Sequence, residues 1–473
     1  MTPTAKMRTN VALAALTGLM LRVFFVLKFP VTDSGDSAFY IELAWNWLKN
    51  GVYGSPVNGQ LAPLDMRVPG YPAFLAAVFA FAGNSPRAVM VAQAVVDVAC
   101  CFLIAWIASR LAPAESRRRV AIAALWLAAL CPLTANYTAV VLTETLAVFL
   151  TALAILVLLE TDLGRPVEIG NTPLATNRWL LAGIVVGFGA LVRPETPLLL
   201  VAAGMVLVAR WWRPRDLPKL VRACVLMGLG LLLPLAPWAT RNWRTLHEVQ
   251  FLAPRYLAQP GDYVPVGFNA WTNTWLWRFR DVYRTQWKVG DKEIPIDDVP
   301  ASAFDSPEER ERVAGLLEQY NDSLTIDPAI DQQFQQVARD RTMRHPLRTY
   351  FEVPFLRGVS MWLTPRTELL PYSGHLFPIR IQWEDDPRDF SVTVSLAAAG
   401  YLYVGLALAG AWKARRQPGW SLLIVFVLVR TAFFATLIET PEPRYVLECF
   451  PAAIALAAQV FSRKRQLSST GSG

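Results

Sequence analysis

Charge is scarce in this chain. Asp, Glu, Lys and Arg make up 17% of its 473 residues, against about 25% in soluble globular domains. The basic residues sit in short loops between apolar runs, a pattern that excludes a nucleic-acid binder. Histidine is scarcer still. His247, His345 and His375 are scattered, so the sequence offers no His-Glu-x-x-His zinc site and no Ser-His-Asp arrangement. The five cysteines (Cys100, Cys101, Cys131, Cys224 and Cys449) all fall in apolar segments, which leaves no disulfide framework and no zinc motif. No glycine-rich nucleotide loop or Walker sequence occurs, which argues against an ATP or nucleotide-sugar enzyme. Internal repeats and coiled-coil heptads are also missing.

Apolar residues fill the space. They are 54% of the chain, with 17 Trp, and they gather into membrane-length runs. A span needs about 20 such residues. Ten runs qualify as candidates: 10–29, 88–110, 119–136, 142–160, 179–193, 195–212, 220–239, 393–411, 420–437 and 446–462. The shorter run 72–83 reads as interfacial or re-entrant. Basic residues mark every second loop: Arg117 to Arg119, Arg165 and Arg178, Arg210 to Arg222, Lys413 to Arg416, and Arg463 to Arg465. By the positive-inside rule both termini then lie in the cytoplasm, and Lys6 and Arg8 hold the first run there as a retained helix.

The predicted fold is an all-α polytopic membrane protein of about ten spans with a mixed α/β or irregular extracytoplasmic insert. Its predicted parts are an N-terminal bundle 1–239 with a first outer loop at 30–87, the insert 240–392, C-terminal spans 393–465, and a flexible tail 466–473. The insert holds 18 basic and 22 acidic residues, net −4, while the rest carries +12. One amphipathic helix is expected near 306–320. The insert's Tyr263, Phe268, Trp271, Trp275 and Trp277, interleaved with Asn269 and Asn273, suit sugar stacking or a helix lying on the bilayer, and the bilayer is the preferred reading.

Most polar residues at membrane depth map to the outer side: Asp33, Asp36, Asp65, Arg67, Glu144, Arg193, Glu195, Arg241, Glu439, Glu442 and Arg444. Topology requires basic cytoplasmic loops but gives no reason for these mixed charges, so a shared water-filled site is expected. Asp36 suits a general base for an acceptor hydroxyl, or an N-cap for the following helix. Asp33 suits a cap or the turn around Gly35. Arg67, held in Asp65-Met-Arg67-Val-Pro-Gly-Tyr-Pro72, suits a phosphate oxyanion or an interfacial anchor. Glu144 is a second carboxylate at a helix start, where the dipole also favours an acid. It leaves room for a divalent cation bound through oxygens, although no motif requires one. Arg241 and Arg444 could steady a phosphate leaving group or anchor an aromatic belt.

Five ordered segments carry a resemblance to a known family. They are Gly35-Asp-Ser-Ala-Phe-Tyr-Ile-Glu-Leu-Ala44, Arg67-Val-Pro-Gly-Tyr-Pro-Ala-Phe-Leu75, Leu142-Thr-Glu-Thr-Leu146, Arg241-Asn-Trp-Arg244 and Pro443-Arg-Tyr-Val446. Together they resemble the GT-C superfamily of integral-membrane glycosyltransferases, nearest its bacterial protein mannosyltransferase and aminoarabinose (lipid A) transferase branch. The resemblance implies a polyprenyl-phosphate-linked sugar donor, an envelope acceptor, a bacterial inner membrane with an extracytoplasmic site, and inversion at the sugar. It implies Asp36 and Glu144 as catalytic acids, and Arg67, Arg241, Arg444 and Tyr445 at the donor phosphate. Asp33, Tyr40 and Tyr71 take supporting places. The chain departs from the family's usual Asp-Glu pair in the first loop, having Asp36-Ser37. A transporter or flippase for an anionic or lipid-linked substrate is the alternative, and it would be expected to show paired halves, which the sequence lacks.

Overall fold

The computed structural model describes residues 3–31, 35–57, 59–164, 173–213, 216–256 and 263–463. Asp33 and the expected tail 466–473 lie outside the described residues. The chain forms two compact units. The first holds Met1–Ala253, Thr367–Val427 and Glu448–Gly473, and the second Pro254–Arg366 and Leu428–Leu447.

The first unit opens with α1 (Pro3–Lys28), α2 (Gly35–Asn50), a hairpin of β1 (Gly54–Val57) and β2 (Gln60–Pro63), and α3 (Gly70–Ala82). Then come α4 (Pro86–Arg110), α5 (Arg117–Ala129), α6 (Pro132–Ala135), α7 (Glu144–Leu159), α8 (Pro173–Ala190), α9 (Leu198–Trp211) and α10 (Leu217–Leu246). Residue chemistry sets the boundaries. Ser85 accepts from Ala88 N, and Pro86 fills the first turn of α4, where its missing N–H costs nothing. Pro132 ends α5, and the chain bends by 49° there.

That bend is paired with a buried guanidinium. The break leaves carbonyls without helical donors, a costly state away from water. Arg22 of α1, fully buried, donates from Nη2 to Ala128 O at 3.0 Å and from Nη1 to Ala129 O. Its Nε donates to Asp97 Oδ2 of α4 at 2.9 Å, which neutralises the charge. The apolar reading of 10–29 and 88–110 passed over both residues.

Among the described residues six helices are long and apolar enough to cross a membrane, or seven if the bent pair counts as one span. The protein is thus an all-α polytopic membrane protein with fewer full-length spans than the ten expected. The other three predicted spans fall on shorter apolar helices, Glu144–Leu159, Asn177–Ala190 and Leu198–Trp211. Pro194 and Pro197 interrupt the last two. The expected short helix at 72–83 is α3.

The second unit decides the insert, expected to be mixed α/β or irregular. The only strands among the described residues are β1 and β2, both between α2 and α3. The insert is helical instead: α11 (Val266–Asn273), α12 (Phe279–Arg284), α13 (Pro307–Ser323), α14 (Pro328–Arg344) and α15 (Val353–Leu363). Ser306 and Asp327 cap α13 and α14 by accepting backbone N–H groups, each with Pro next in line. The bilayer reading of the aromatics is also corrected for three of them. Phe268, Trp271 and Trp275 are buried with Phe334, Leu316 and Tyr320 in the unit's own core. Asp331 Oδ2 and Oδ1 accept from Gly267 N and Phe268 N and hold α11 on α14. After the insert, α16 (Ile379–Asp385) and α17 (Pro387–Ala414) return to the first unit. The chain then runs into α18 (Trp420–Leu437), whose first eight residues belong to the first unit and the rest to the second. The last helix, α19 (Phe450–Ala457), is again in the first unit.

Candidate active site

Three long-range backbone and side-chain contacts assemble the loops around Asp36, Arg67 and Glu144 in the first unit. Val31 N donates to Ala139 O at 2.9 Å, and Val31 bridges Val140, so the approach to Asp36 lies beside the approach to Glu144. Gly70 N donates to Leu191 O at 2.6 Å, which docks the Arg67 turn against the segment leading to Arg193. Tyr53 Oη donates to Arg67 O at 2.9 Å and fixes the same turn from the hairpin side. Gly70 has to be glycine at this approach, because an added Cβ would lie 2.5 Å from Leu191 O.

The result is charge at two levels of exposure. The more exposed level is Asp36 and Arg67. Asp36 lies in the first turn of α2, where the helix dipole favours a carboxylate. Its Oδ1 accepts from Arg67 Nη2 at 2.6 Å, and its side chain keeps 35% of its accessible surface. The Arg67 guanidinium stands over the rings of Tyr40 and Phe39 at 5.5 and 5.9 Å. Its buried Nε has no hydrogen-bond partner among the described residues.

The other level is buried. Arg193 Nη1 donates to Glu144 Oε1 at 2.9 Å, and Arg193 Nε lies 3.4 Å from Glu448 Oε1 and 3.7 Å from Glu195 Oε2. Glu144 and Glu448 are 3% and 2% exposed. Thr151 Oγ1 donates to Glu448 Oε2 at 3.0 Å. Two buried acids thus share one arginine.

Tyr40 joins the levels. Burial pushes its phenol up to about 12; Arg67 draws it back, Asp36 and Glu144 push it further up, and Arg193 draws it back. Charges from separate segments of the chain therefore bear on one phenol. Tyr40 packs edge-on against Tyr71 with ring centres 5.1 Å apart, and Tyr71 Oη donates to Gln93 Oε1 at 2.7 Å. Gln93 Nε2 in turn donates to Val140 O at 2.7 Å, so the supporting tyrosines are anchored to α4 and to the turn before Glu144.

The remaining predicted residues have other surroundings. Arg241 donates to the carbonyls of Leu64 and Tyr53, both at 2.8 Å, and to Asn242 Oδ1 at 2.9 Å. It ties the hairpin to α10 and lines a cavity of about 370 Å³ with Trp47, Tyr53, Pro234, Pro237 and Trp238. Arg444 and Tyr445 belong to the second unit. There Arg444 Nε lies 2.6 Å from Glu442 Oε2, Tyr445 Oη donates to Glu442 Oε1 at 2.7 Å, and the Tyr445 ring stacks on Phe434. Among the described residues no group of three His, Cys, Asp or Glu is arranged to hold a metal ion.

The sequence reading includes Arg193 in the expected shared site without a partner of its own, and takes Glu448 as part of an apolar run. Both are charges in or beside apolar stretches, but their partners are far away in sequence.

Residues 66–238 match the sequence profile of a family described as dolichyl-phosphate-mannose-protein mannosyltransferase. No curated protein matches the chain by sequence. The fold is similar to that of the Archaeoglobus fulgidus oligosaccharyltransferase tethered to an acceptor peptide containing the NVT sequon. The TM-score is 0.51 at 13% identity, over 97% of this chain and 49% of that one. The archaeal oligosaccharyltransferase AglB of the same organism, in complex with an inhibitory peptide and a dolichol-phosphate, gives 0.48 at 12% identity, over 96% and 50%. The chain therefore spans about half the length of these structures.

Proposed function

For a chain with the fold of the GT-C membrane glycosyltransferases, we propose transfer of a sugar from a polyprenyl-phosphate carrier to a hydroxyl of an envelope acceptor. The observation that carries the reading is the partly exposed Asp36–Arg67 pair in the same unit as the buried Glu144–Arg193–Glu448 group. The family match over 66–238 supports a lipid-phosphate donor. A carrier of that kind keeps its chain in the bilayer and brings only its phosphate and sugar to the site, so no nucleotide pocket is needed.

In this reading Asp36 takes the proton of the acceptor hydroxyl. The acceptor oxygen bonds to the anomeric carbon as the bond from that carbon to the phosphate oxygen breaks. The carrier phosphate leaves with the electron pair, and a single displacement of this kind inverts the anomeric centre. Arg67 supports the departing phosphate, because its unpartnered Nε and its planar fork suit an oxyanion. Arg193 and Glu144 supply a buried charged group whose field bears on Tyr40. Arg241, with donors already on the hairpin carbonyls, positions the loop, and its apolar cavity suits the first isoprene units. The site lies on the extracytoplasmic face of the bacterial inner membrane, with both termini in the cytoplasm, as the basic loops imply.

The test is mass spectrometry of envelope lipids and glycans from cells lacking the gene, complemented with the wild-type chain, Asp36→Asn or Asp36→Glu. A sugar mass lost on deletion, restored by the wild type and still missing with a folded, membrane-inserted Asp36→Asn supports the reading. A fully restored mass with Asp36→Asn removes Asp36 as the base. The same assay on Arg444→Gln shows whether a second arginine serves the phosphate.

A further inference from the structure

The helical stretch from Arg348 through α15 has its polarity inside out. A helix in water buries its apolar stripe and exposes its charges. Here Arg357 is 2% exposed, donating from Nε to Leu276 O at 2.7 Å and from Nη1 to Ile438 O at 3.3 Å. The opposite face carries Leu347, Phe351, Phe355, Val359 and Leu363, spaced four apart and all exposed, Phe355 at 71%. Residues four apart share one face of a helix. No exposed charged residue occurs from Val353 to Leu363, and the exposed Glu352 marks the polar edge of the face just before it. A continuous apolar face of this kind marks an interaction surface.

The neighbour of α15 identifies the partner. Trp362 Nε1 donates to Thr431 Oγ1 of α18 at 3.0 Å, and a Cβ added at Gly358 would lie 3.4 Å from Thr431 Cγ2. Met361 and Trp362 pack with Phe434 and Ala435 of the same helix. α18 is one of the helices long and apolar enough to cross a membrane. Thr431 stands six residues before its end at Leu437, which is roughly 9 Å along the axis. A helix packed at that level lies inside the hydrocarbon, because the whole apolar layer is only about 30 Å thick. The start of the stretch is anchored differently. Arg348 donates to both carboxylate oxygens of Asp305, at 2.6 and 3.1 Å, in the polar body of the insert.

We infer that α15 is a membrane-inserted helix that dips from the insert into the leaflet at the Leu437 end of α18, with Phe351, Phe355, Val359 and Leu363 against lipid acyl chains. The bilayer is the occupant because the helix is already packed on a span at hydrocarbon depth. The insert is thereby held in the membrane by a wedge of its own as well as by the spans on either side of it. This inference is independent of the glycosyl-transfer reading, and its failure would leave that reading standing.

The experiment uses the full chain in liposomes, with its five cysteines replaced and a nitroxide placed in turn on Phe355→Cys, Phe351→Cys, Leu428→Cys (the exposed face of α18) and Glu311→Cys (exposed on α13). Collision with molecular oxygen and with a water-soluble nickel chelate is measured at each. The inference expects positions 355 and 351 to match 428, with oxygen dominant. Chelate access at 355 and 351 equal to that at 311 would overturn it, whether the face meets water or a soluble partner. Spin–spin broadening at both positions, reporting a second copy of the chain, would overturn it too. Where Phe355→Cys does not yield folded protein, Phe351→Cys alone carries the reading.

Discussion

Gly70 N and Leu191 O lie 2.6 Å apart, and this one contact sets the Arg67 turn against the segment that carries Arg193. A methyl group at Gly70 would sit 2.5 Å from the Leu191 oxygen, against backbone that cannot swing aside. Gly70→Ala should cost about 1–3 kcal/mol, the range for overpacking a tight site. It should also reduce transfer, because the Asp36–Arg67 pair moves with the turn. Thermal unfolding in detergent and the envelope assay check the two effects separately.

Arg67 offers a finer probe. Arg67→Lys keeps the charge and loses the fork, whereas Arg67→Gln loses both. Removal of one well-placed donor to a developing oxyanion costs about 100- to 1000-fold in rate. The glutamine variant should approach that loss and the lysine variant should fall between it and wild type. Equal activity of all three would remove Arg67 from the phosphate.

The buried group should respond to loss of the arginine that Glu144 and Glu448 share. Arg193→Gln leaves Glu144 and Glu448 buried without their shared partner. Breaking a buried pair in this way typically costs about 3–5 kcal/mol. The triple variant Arg193→Gln, Glu144→Gln, Glu448→Gln should recover much of the melting temperature and none of the transfer. Recovery of transfer would show that the group is structural only.

Arg22 and Asp97 should behave otherwise. Asp97→Asn leaves a buried cation and should destabilise the chain strongly. Replacing both by leucine removes the charge problem, yet the carbonyls of Ala128 and Ala129 then lose the donors that Arg22 supplied at the bend. The double variant should therefore remain well below wild type in thermal unfolding. Full recovery would show that those carbonyls need no donor.

Acid should loosen the insert through Asp305. Burial raises its carboxyl, but the hydrogen bond from Arg348 and the charges of Arg341, Arg348 and Arg344 lower it more, and the net shift is downward. A carboxylate lowered on folding contributes stability above its unfolded value, about 3.9, that is lost as pH falls through the folded value. Thermal unfolding of the full chain should therefore weaken below about pH 4, and Asp305→Asn should flatten that limb. An unchanged limb in the variant would assign the acid sensitivity elsewhere.

Part of the molecule was readable before any coordinates. The expected helix at 306–320 is α13, announced by Ser306-Pro-Glu-Glu309. The same signal at Asp327-Pro328 opens α14 and was overlooked. Asp36 and Arg67 stand out in the sequence as a candidate acid and cation, but their pairing does not, because it rests on long-range contacts to Ala139 and Leu191 and on the Tyr53 hydroxyl. The insert aromatics misled because alternation of rings and amides fits a lipid surface and a packed core equally well. Only burial against Phe334 decides it.

The sequence by itself determined the solvent. Long apolar runs can satisfy their backbone in hydrocarbon only as helices, so the helical bundle and the scarcity of charge are one fact. Which charges meet was decided by tertiary structure. Arg193 stands 49 residues from Glu144, and Glu448 is 297 residues from Thr151. Pairing over such distances depends on which helices pack together, and apolar runs of similar composition leave that choice open.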